Sequence, residues 1–218
     1  MIEETPVEAF PALLAVEGIA HGFTGRAPGI EVQVDRPLAL QRLDEAHAAA
    51  RVRLGIAAKS FITAEQVHGS DVAVVSAETP SPVSATDGLI TADPNVCLGI
   101  YVADCGPVFL VEPERRVIAL LHSGRKGTEL GIVNVAIERM VRVFRCDPAR
   151  MIVQLGPCIR PPHYEIDFAA AILARARAAG VPQVHDCGAC TAAARDRYYS
   201  YRMEQGKTGR MLALLALR

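Results

Sequence analysis

Three short apolar runs in the middle of the chain constrain its fold more than any other feature. They cover residues 96–102, 107–111 and 117–121. Each run is short enough to be a single strand, and turn-forming residues bound it on both sides. A continuous apolar run of this length is typical of a strand that is buried on both faces. The three runs therefore predict the centre of a β-sheet with other layers packed over it.

Glycine and proline divide the rest of the chain into alternating helix and strand candidates. Helical spacing of apolar residues predicts helices over residues 39–54 and 130–144. A third helix is predicted over 168–179, with Asp167 as its N-cap and Gly180 as its stop. No internal repeat or long polar linker interrupts this pattern, so we predict one mixed α/β domain over residues 1–218. Further strands are predicted at residues 60–63, 71–75, 151–155, 198–201 and 211–217.

Composition narrows the class of protein. Half of the residues are hydrophobic and 22% are charged, which suits a packed interior. The net charge is −1 and neither sign forms a long run, so nothing indicates a nucleic-acid or membrane partner. The first residues lack the pattern of a secretion signal, and the six cysteines are scattered like reduced thiols or ligands. We expect a soluble cytoplasmic protein.

Two histidines and one cysteine lie where predicted strands run into turns. His122 ends one apolar run, Cys105 follows another, and His68 lies in a turn between two further strands. Strand ends in α/β sheets converge on crevices that bind ligands. Two imidazoles and one thiol are the ligand set of an open zinc site, with the fourth position left for water or substrate. Taken alone, a histidine at a strand end is often only a capped or solvated residue, and a buried cysteine is usually a small hydrophobic residue.

Asp104 directly precedes Cys105. It is a candidate acid, or a carboxylate that orients a metal ligand. The alternative is a turn residue whose side chain hydrogen-bonds its own backbone.

A glycine-rich loop follows His122 and opens a predicted helix. Its backbone N–H groups and the positive end of the helix are suited to hold an anion, with Arg125 and Lys126 adding charge. The alternative is a tight turn with two solvated basic side chains. His163 and Tyr164 follow a Pro-Pro turn, which would aim both rings at a site or place them in a surface loop.

The two remaining groups are weaker candidates. The pair Cys187 and Cys190 has the spacing of a redox or zinc half-site, but the chain offers no second pair. His21 and His47 are interpreted as structural or solvent-exposed.

Several short motifs follow one another in a fixed order along nearly the whole chain. They are Gly22-Phe23-Thr24 with Arg26, Gln66-Val67-His68-Gly69, Asp87-Gly88-Leu89-Ile90-Thr91, Ala103-Asp104-Cys105 with Pro107, Leu155-Gly156-Pro157-Cys158-Ile159 with Tyr164-Glu165, Tyr199-Ser200-Tyr201-Arg202 and Thr208-Gly209-Arg210. Together they resemble the motifs of the laccase-domain family, also called the polyphenol oxidase or multifunctional purine nucleoside phosphorylase family.

The resemblance implies a fold, a metal and an activity. The fold is a mixed β-sheet sandwich flanked by helices, in α/β/β/α layers. The metal is zinc, held by His68, Cys105 and His122. The activity is phosphorolysis of adenosine, inosine, guanosine and methylthioadenosine, with adenosine deamination in some members, so the partners would be a purine nucleoside and phosphate. Copper-dependent laccase chemistry fits poorly, because it needs many more histidines than the six present.

Two segments depart from the family pattern. The family's H-[AS]-G-W-R-G stands here as His122-Ser123-Gly124-Arg125-Lys126-Gly127, with arginine and lysine in place of tryptophan and arginine. Residues 160–165 lack the family's paired small or thiol residues. We expect both segments to border the substrate, and we expect Arg26 and Lys126 to hold phosphate with the loop N–H groups. The residues predicted to contact substrate are Arg26, Gln66, Arg125, Lys126, His163 and Tyr164; those predicted to take part in catalysis are Asp104, Cys105 and His122.

Two other functions stay open at this point. In a cysteine hydrolase, such as a peptidoglycan-precursor amidase, Cys105 would be the nucleophile and His122 its base. In a non-catalytic metal- or nucleotide-binding protein, the altered loop would mark lost activity.

Overall fold

Two mixed β-sheets packed face to face form the centre of the computed structural model, which describes residues 4–218. The first sheet contains, in spatial order, β1 (Val7–Glu8), β2 (Ile19–Thr24), β11 (Met211–Leu217), β6 (Val96–Val102) and β3 (Ser60–Thr63). The second contains β10 (Gln183–Asp186), β9 (Ile152–Leu155), β7 (Gly106–Glu112), β8 (Val117–Ser123), β5 (Gly88–Thr91) and β4 (Val72–Val74). The pairs β3–β6, β4–β5 and β9–β10 are parallel.

Helices cover the outer faces of both sheets. Residues of α2 pack on the first sheet, and residues of α4 and α5 pack on the second, which gives the expected α/β/β/α layers. Within residues 4–218, none of the helices is both long enough and apolar enough to cross a membrane. The helices are α1 (Pro11–Leu14), α2 (Arg36–Arg53), α3 (Arg125–Glu129), α4 (Ile132–Phe144) and α5 (Phe168–Ala178).

The central strand β11 explains why the apolar runs are continuous. Met211, Ala213 and Leu215 pack in the core between the two sheets, whereas Leu212 and Leu214 pack beneath α2. Successive side chains of a strand point to opposite faces, so a strand buried on both sides needs an apolar residue at every position. Each fully buried leucine contributes roughly 1.5–3 kcal/mol relative to an exposed one.

The predicted helix boundaries agree with the structure to within a few residues. Asp167 caps α5 by accepting a hydrogen bond from the Ala170 N–H at 2.9 Å. Gly180, beyond the end of α5, has a φ of +90°, which favours glycine. The predicted stripe of α4 is buried, including Val133, Ile137 and Met140.

The prediction of a strand at residues 198–201 is wrong. Tyr198 and Tyr199 are buried, but their segment is a series of turns, in which the Tyr198 N–H donates to the Ala194 carbonyl. The phenol groups reach partners in other segments, because the Tyr198 hydroxyl donates to Glu8 and the Tyr199 hydroxyl accepts from the Ala27 N–H. Because their polar groups have hydrogen-bond partners, these tyrosines can be buried in a segment that is not paired as a strand.

Two histidines of the first sheet layer are buried and structural, as one of the sequence alternatives had it. The His21 Nε2 accepts from the Phe10 N–H at 2.8 Å, and the His47 Nε2 lies 3.1 Å from the Arg210 carbonyl oxygen. Burial is the main cause that lowers the pKa of each ring from 6.5 to about 4. Both rings are therefore neutral in the folded protein at physiological pH.

These neutral rings predict a pH-dependent stability. The unfolded chain protonates both rings below about pH 6.5 while the folded protein does not, so the free energy of unfolding should fall from about pH 6.5 down to about pH 4. His47→Gln, which keeps an N–H for the Arg210 carbonyl, should reduce this fall by up to about 1.4 kcal/mol per pH unit. Urea unfolding at several pH values measures it, and an identical fall in variant and parent protein would contradict the assignment.

Candidate metal centre

The structure brings the three predicted ligands together. The side-chain donor atoms of His68, Cys105 and His122 all lie within 4.8 Å of one another. Their segments are the β3–β4 loop, the β6–β7 turn and the end of β8. Within residues 4–218, no other group of histidine, cysteine or acidic side chains is placed to hold a metal ion in this way.

The register of the β7–β8 hairpin places Cys105 beside His122. Gly106 pairs with Ser123 and Pro107 pairs with His122, so Cys105 is next in line at the end of the hairpin. Gly124 leaves room for the thiol, because a Cβ atom at this position would lie 2.5 Å from the Cys105 Sγ. Gly124, which follows Ser123 in this loop, is thus required by Cys105 across the hairpin.

The His68 loop is held in an uncommon backbone conformation. Gln66 and His68 both have a φ of 62°, in the left-handed region that non-glycine residues seldom occupy. The Asp87 carboxylate compensates for this strain by accepting hydrogen bonds from three successive N–H groups of the loop. The donors and distances are Val67 at 3.1 Å, His68 at 3.0 Å and Gly69 at 2.7 Å.

Asp87 also orients His122. The His122 Nδ1 lies 2.7 Å from the Asp87 Oδ1, and an ionised carboxylate only accepts, so Nδ1 carries the proton. Burial of Asp87 raises its pKa, but the hydrogen bonds from His122 and the loop outweigh burial and hold the pKa below its usual value. The Nε2 of His122 is left free for a metal. No role of Asp87 is predicted from the sequence, although Asp87 begins one of the family motifs.

The cluster is electrostatically polarised. Burial raises the pKa of the Cys105 thiol, but the charges and hydrogen bonds of His122 and His68 more than reverse this and lower it. Burial lowers the pKa of His122, and the Cys105 and Asp87 charges more than offset that effect and raise it. The favoured state is a thiolate beside an imidazolium, and a metal ion would take the place of the imidazolium proton.

The cluster opens into a cavity of about 980 Å³. One part of its wall is apolar and aromatic, with Ile159, Tyr164 and Phe168. The rings of Tyr164 and Phe168 meet edge to face, with their centroids 5.9 Å apart. Five cationic side chains also line the cavity: Arg36, Arg125, Arg202, Lys207 and Arg210.

Three of the predicted substrate residues line this cavity, namely Gln66, Arg125 and Tyr164. The Gln66 side chain is committed to the backbone of Tyr101, to which it donates at 2.6 Å and from which it accepts at 3.1 Å. It therefore fixes the loop beside His68 to β6. The Arg125 Nε donates to Glu129 at 2.9 Å.

The other three predicted substrate residues do not line the cavity. Arg26 forms a 2.8 Å ion pair with Glu204, and its guanidinium lies over the Tyr199 ring at 4.5 Å. These contacts tie β2 to the segment before β11. Lys126 and His163 are exposed. Lys126 belongs to α3, which has only five residues.

Asp104 lines the cavity, but its carboxylate is already occupied. It accepts hydrogen bonds of 2.7 Å from the Thr191 hydroxyl, the Ser200 hydroxyl and the Arg202 N–H. These bonds hold two distant segments against the Cys105 turn. The geometry therefore suits an anchoring role better than proton transfer.

Comparison with known proteins agrees with this architecture. The family model described as multi-copper polyphenol oxidoreductase laccase matches residues 33–171 and 163–218. A protein of Deinococcus radiodurans named purine nucleoside phosphorylase is 34% identical, over 91% of this chain and 89% of its own length. The purine nucleoside phosphorylase YlmD of Geobacillus stearothermophilus is 26% identical, over 94% of this chain and 90% of its own.

Solved structures share the fold. The crystal structure of YlmD from Geobacillus stearothermophilus superposes with a TM-score of 0.85 at 23% identity, covering 96% of this chain and 94% of that one. The Neisseria meningitidis protein NMB0706 superposes with a TM-score of 0.76 at 23% identity, covering 99% of each chain. At this identity the likeness concerns the fold alone.

The role of Asp87 is testable through metal affinity. Asp87→Asn keeps the size of the side chain but removes the charge that orients His122 and the His68 loop. We expect divalent-metal affinity to fall by roughly 10- to 100-fold, the usual effect of removing such a partner. Competition with a chromophoric chelator measures the affinity, and thermal unfolding reports the fold.

Asp93→Asn is the matched control, because Asp93 also accepts two backbone hydrogen bonds, from Ala77 and Asn95, but does not contact the cluster. Equal metal affinity in Asp87→Asn and the parent protein would contradict the assignment.

Proposed function

Because this chain belongs to the multi-copper polyphenol oxidoreductase laccase family, we propose that it is a zinc-dependent purine nucleoside phosphorylase. The observation that carries the proposal is the His68–Cys105–His122 cluster, which opens into a cavity of about 980 Å³. This volume lies at the upper end of the range of small-molecule sites and has room for a nucleoside and phosphate together. The name of the Deinococcus relative supports the same activity.

The donor set favours zinc over copper. One thiolate and two imidazoles complete three positions of a tetrahedral zinc site and leave the fourth open. Multicopper oxidation needs several metal centres, and residues 4–218 offer this one group. When bound, zinc would supply a Lewis acid that polarises a substrate oxygen.

The chain's own residues account for binding and orientation. Tyr164, Phe168 and Ile159 provide an apolar surface on which a purine can pack. The Arg202 guanidinium lies 5.3 Å from the Tyr164 ring centroid, and this cation–π contact holds the ring in place. The Asp87 carboxylate holds both histidines in place, so the cluster need not reorganise when substrate enters.

In phosphorolysis a phosphate oxygen forms a bond to the anomeric carbon of the ribose. The glycosidic C–N bond breaks, and its electron pair leaves with the purine, which takes up a proton. Positive charge builds on the sugar during this step, so an anion fixed close to it stabilises the transition state. The expected substrates are adenosine, inosine, guanosine and methylthioadenosine, and we include adenosine deamination as a second activity of the same site.

A cysteine hydrolase is the second candidate, since one observation favours it. In space, the His122 imidazole lies between the Asp87 carboxylate and the Cys105 thiol. A catalytic triad has the same arrangement of carboxylate, imidazole and nucleophile. Zinc bound to the Cys105 sulfur excludes this chemistry, so metal content separates the two functions.

Zinc content is the first test. Protein purified without a metal-affinity tag should contain close to one equivalent of zinc, and Cys105→Ala should lose most of it, because a three-ligand site loses its only thiolate. Cys190→Ala deletes a thiol elsewhere and should retain the metal. Elemental analysis measures both; zinc kept in Cys105→Ala and lost in Cys190→Ala would overturn the ligand assignment.

Phosphate dependence is the second test. The zinc-loaded protein should convert inosine to hypoxanthine and ribose 1-phosphate only when phosphate is present, and adenosine should yield adenine and some inosine. Liquid chromatography resolves all of these products. Base release at the same rate in phosphate-free buffer would identify a hydrolase. Absence of turnover with every purine nucleoside would favour a binding protein.

A further inference from the structure

Five cationic side chains line the cavity, and the ion pairs of the chain involve two of them. Arg125 is paired with Glu129 at 2.9 Å, and Arg202 is paired with Glu165 at 3.2 Å. The remaining cations of the wall, Arg36, Lys207 and Arg210, have no ion-pair partner in the part of the chain that the structure describes.

The acidic groups of the wall, Asp35 and Asp104, form no ion pair with these cations. The Asp35 carboxylate caps α2 by accepting from the Leu38 N–H at 3.0 Å. The Asp104 carboxylate accepts the three hydrogen bonds that hold the Cys105 turn. Both carboxylates therefore accept hydrogen bonds from other donors, and neither forms an ion pair with Arg36, Lys207 or Arg210.

Arg210 is held rigidly at this position. It is only 9% exposed, and its Nη1 donates at 2.9 Å to the carbonyl oxygens of Thr208 and Gly209 in its own loop. Burial lowers its pKa, and the nearby charge of Arg36 lowers it further. Two guanidinium groups that repel each other beside a cavity are stabilised when an anion binds between them.

The backbone at the start of α2 adds positive electrostatic potential to the cavity. Arg36 is the first residue of α2, an 18-residue helix whose positive end lies at the cavity wall. Arg210 lines the same cavity as Asp104 and Cys105, whose negative charges partly offset the lowering of its pKa. An anion bound here would lie within the same cavity as the metal and the aromatic wall.

We infer that Arg36, Lys207 and Arg210 form the subsite for a tetrahedral oxyanion, and that its occupant is the inorganic phosphate substrate. The inference rests on the proposed function and replaces the phosphate site predicted from the sequence. Arg26 is neutralised by Glu204, and Lys126 does not line the cavity.

The test uses the zinc-loaded protein and two readouts: the KM for phosphate in nucleoside phosphorolysis, and the Kd of inorganic phosphate by calorimetry. Arg36→Gln and Lys207→Gln should each raise both constants by about tenfold or more, as expected for loss of a charge-assisted hydrogen bond. The KM for the nucleoside should change by less than about threefold, because the purine wall is untouched. Both side chains are at least partly exposed, so the variants should fold.

Arg42→Gln and Lys59→Gln are the matched controls, since they make the same chemical changes away from this cavity and should leave both constants unchanged. Constants within about twofold of the parent protein in both subsite variants would overturn the inference. A rise of the KM and Kd for phosphate in Lys126→Gln, without such a rise in the subsite variants, would also overturn it. Tighter binding of a nucleoside 5′-monophosphate than of free phosphate, with the same sensitivity to the variants, would refute free phosphate as the occupant.

The two proposals fail separately. If no nucleoside is cleaved but phosphate binds and the subsite variants weaken it, the proposed function is wrong and the oxyanion subsite stands. If phosphorolysis proceeds with an unchanged phosphate KM in the variants, the function stands and the subsite is wrong.

Discussion

The buried carboxylate of Asp87 is the interaction on which the rest of the site depends. It accepts three N–H groups from the His68 loop and the Nδ1 proton of His122, so it connects both histidine ligands through one fully buried group. Its own backbone carbonyl accepts from the His122 N–H at 2.7 Å, where β5 runs beside β8. Strand pairing and the geometry of the candidate metal site are therefore coupled. The left-handed backbone at Gln66 and His68 persists because the carboxylate accepts hydrogen bonds from the N–H groups of this loop.

The strand topology of the sandwich brings the segments around this carboxylate together. Parallel pairing of β3 with β6 directs the His68 loop and the Cys105 turn to the same edge, and the β7–β8 hairpin brings His122 back to that edge. The sheets are buried on both faces, so a one-residue slip in register would turn apolar side chains away from their layer and also displace a ligand. The same packing that stabilises the fold holds the ligands in position.

Much of this could be predicted from the sequence. The strands β6, β8 and β11 can be recognised in the sequence as continuous apolar runs. The three candidate ligands lie at turns, inside the motifs that resemble those of the family. The failures share a physical cause, which is dependence on residues far away in the chain. Arg26 is expected from the sequence to hold phosphate, but it pairs with Glu204 from a distant segment, and the role of Asp87 depends on donors from the His68 loop and from His122. Tyr198 and Tyr199 begin a segment that is predicted from the sequence to be a strand, but the partners of their hydroxyl groups, Glu8 and Ala27, lie near the N-terminus.

The missing side chain of Gly124 has a consequence for how such a site diverges. A Cβ atom at this position would lie 2.5 Å from the Cys105 sulfur, so a larger residue here would displace the thiol. The next residue, Arg125, lines the cavity with an exposed side chain, and Lys126 is exposed as well. Adjacent positions of one loop thus differ in what they tolerate: a side chain at position 124 would press on the Cys105 sulfur, whereas the side chains at 125 and 126 are exposed. A substitution at position 125 can therefore change the wall of the cavity while the His68, Cys105 and His122 side chains keep their positions.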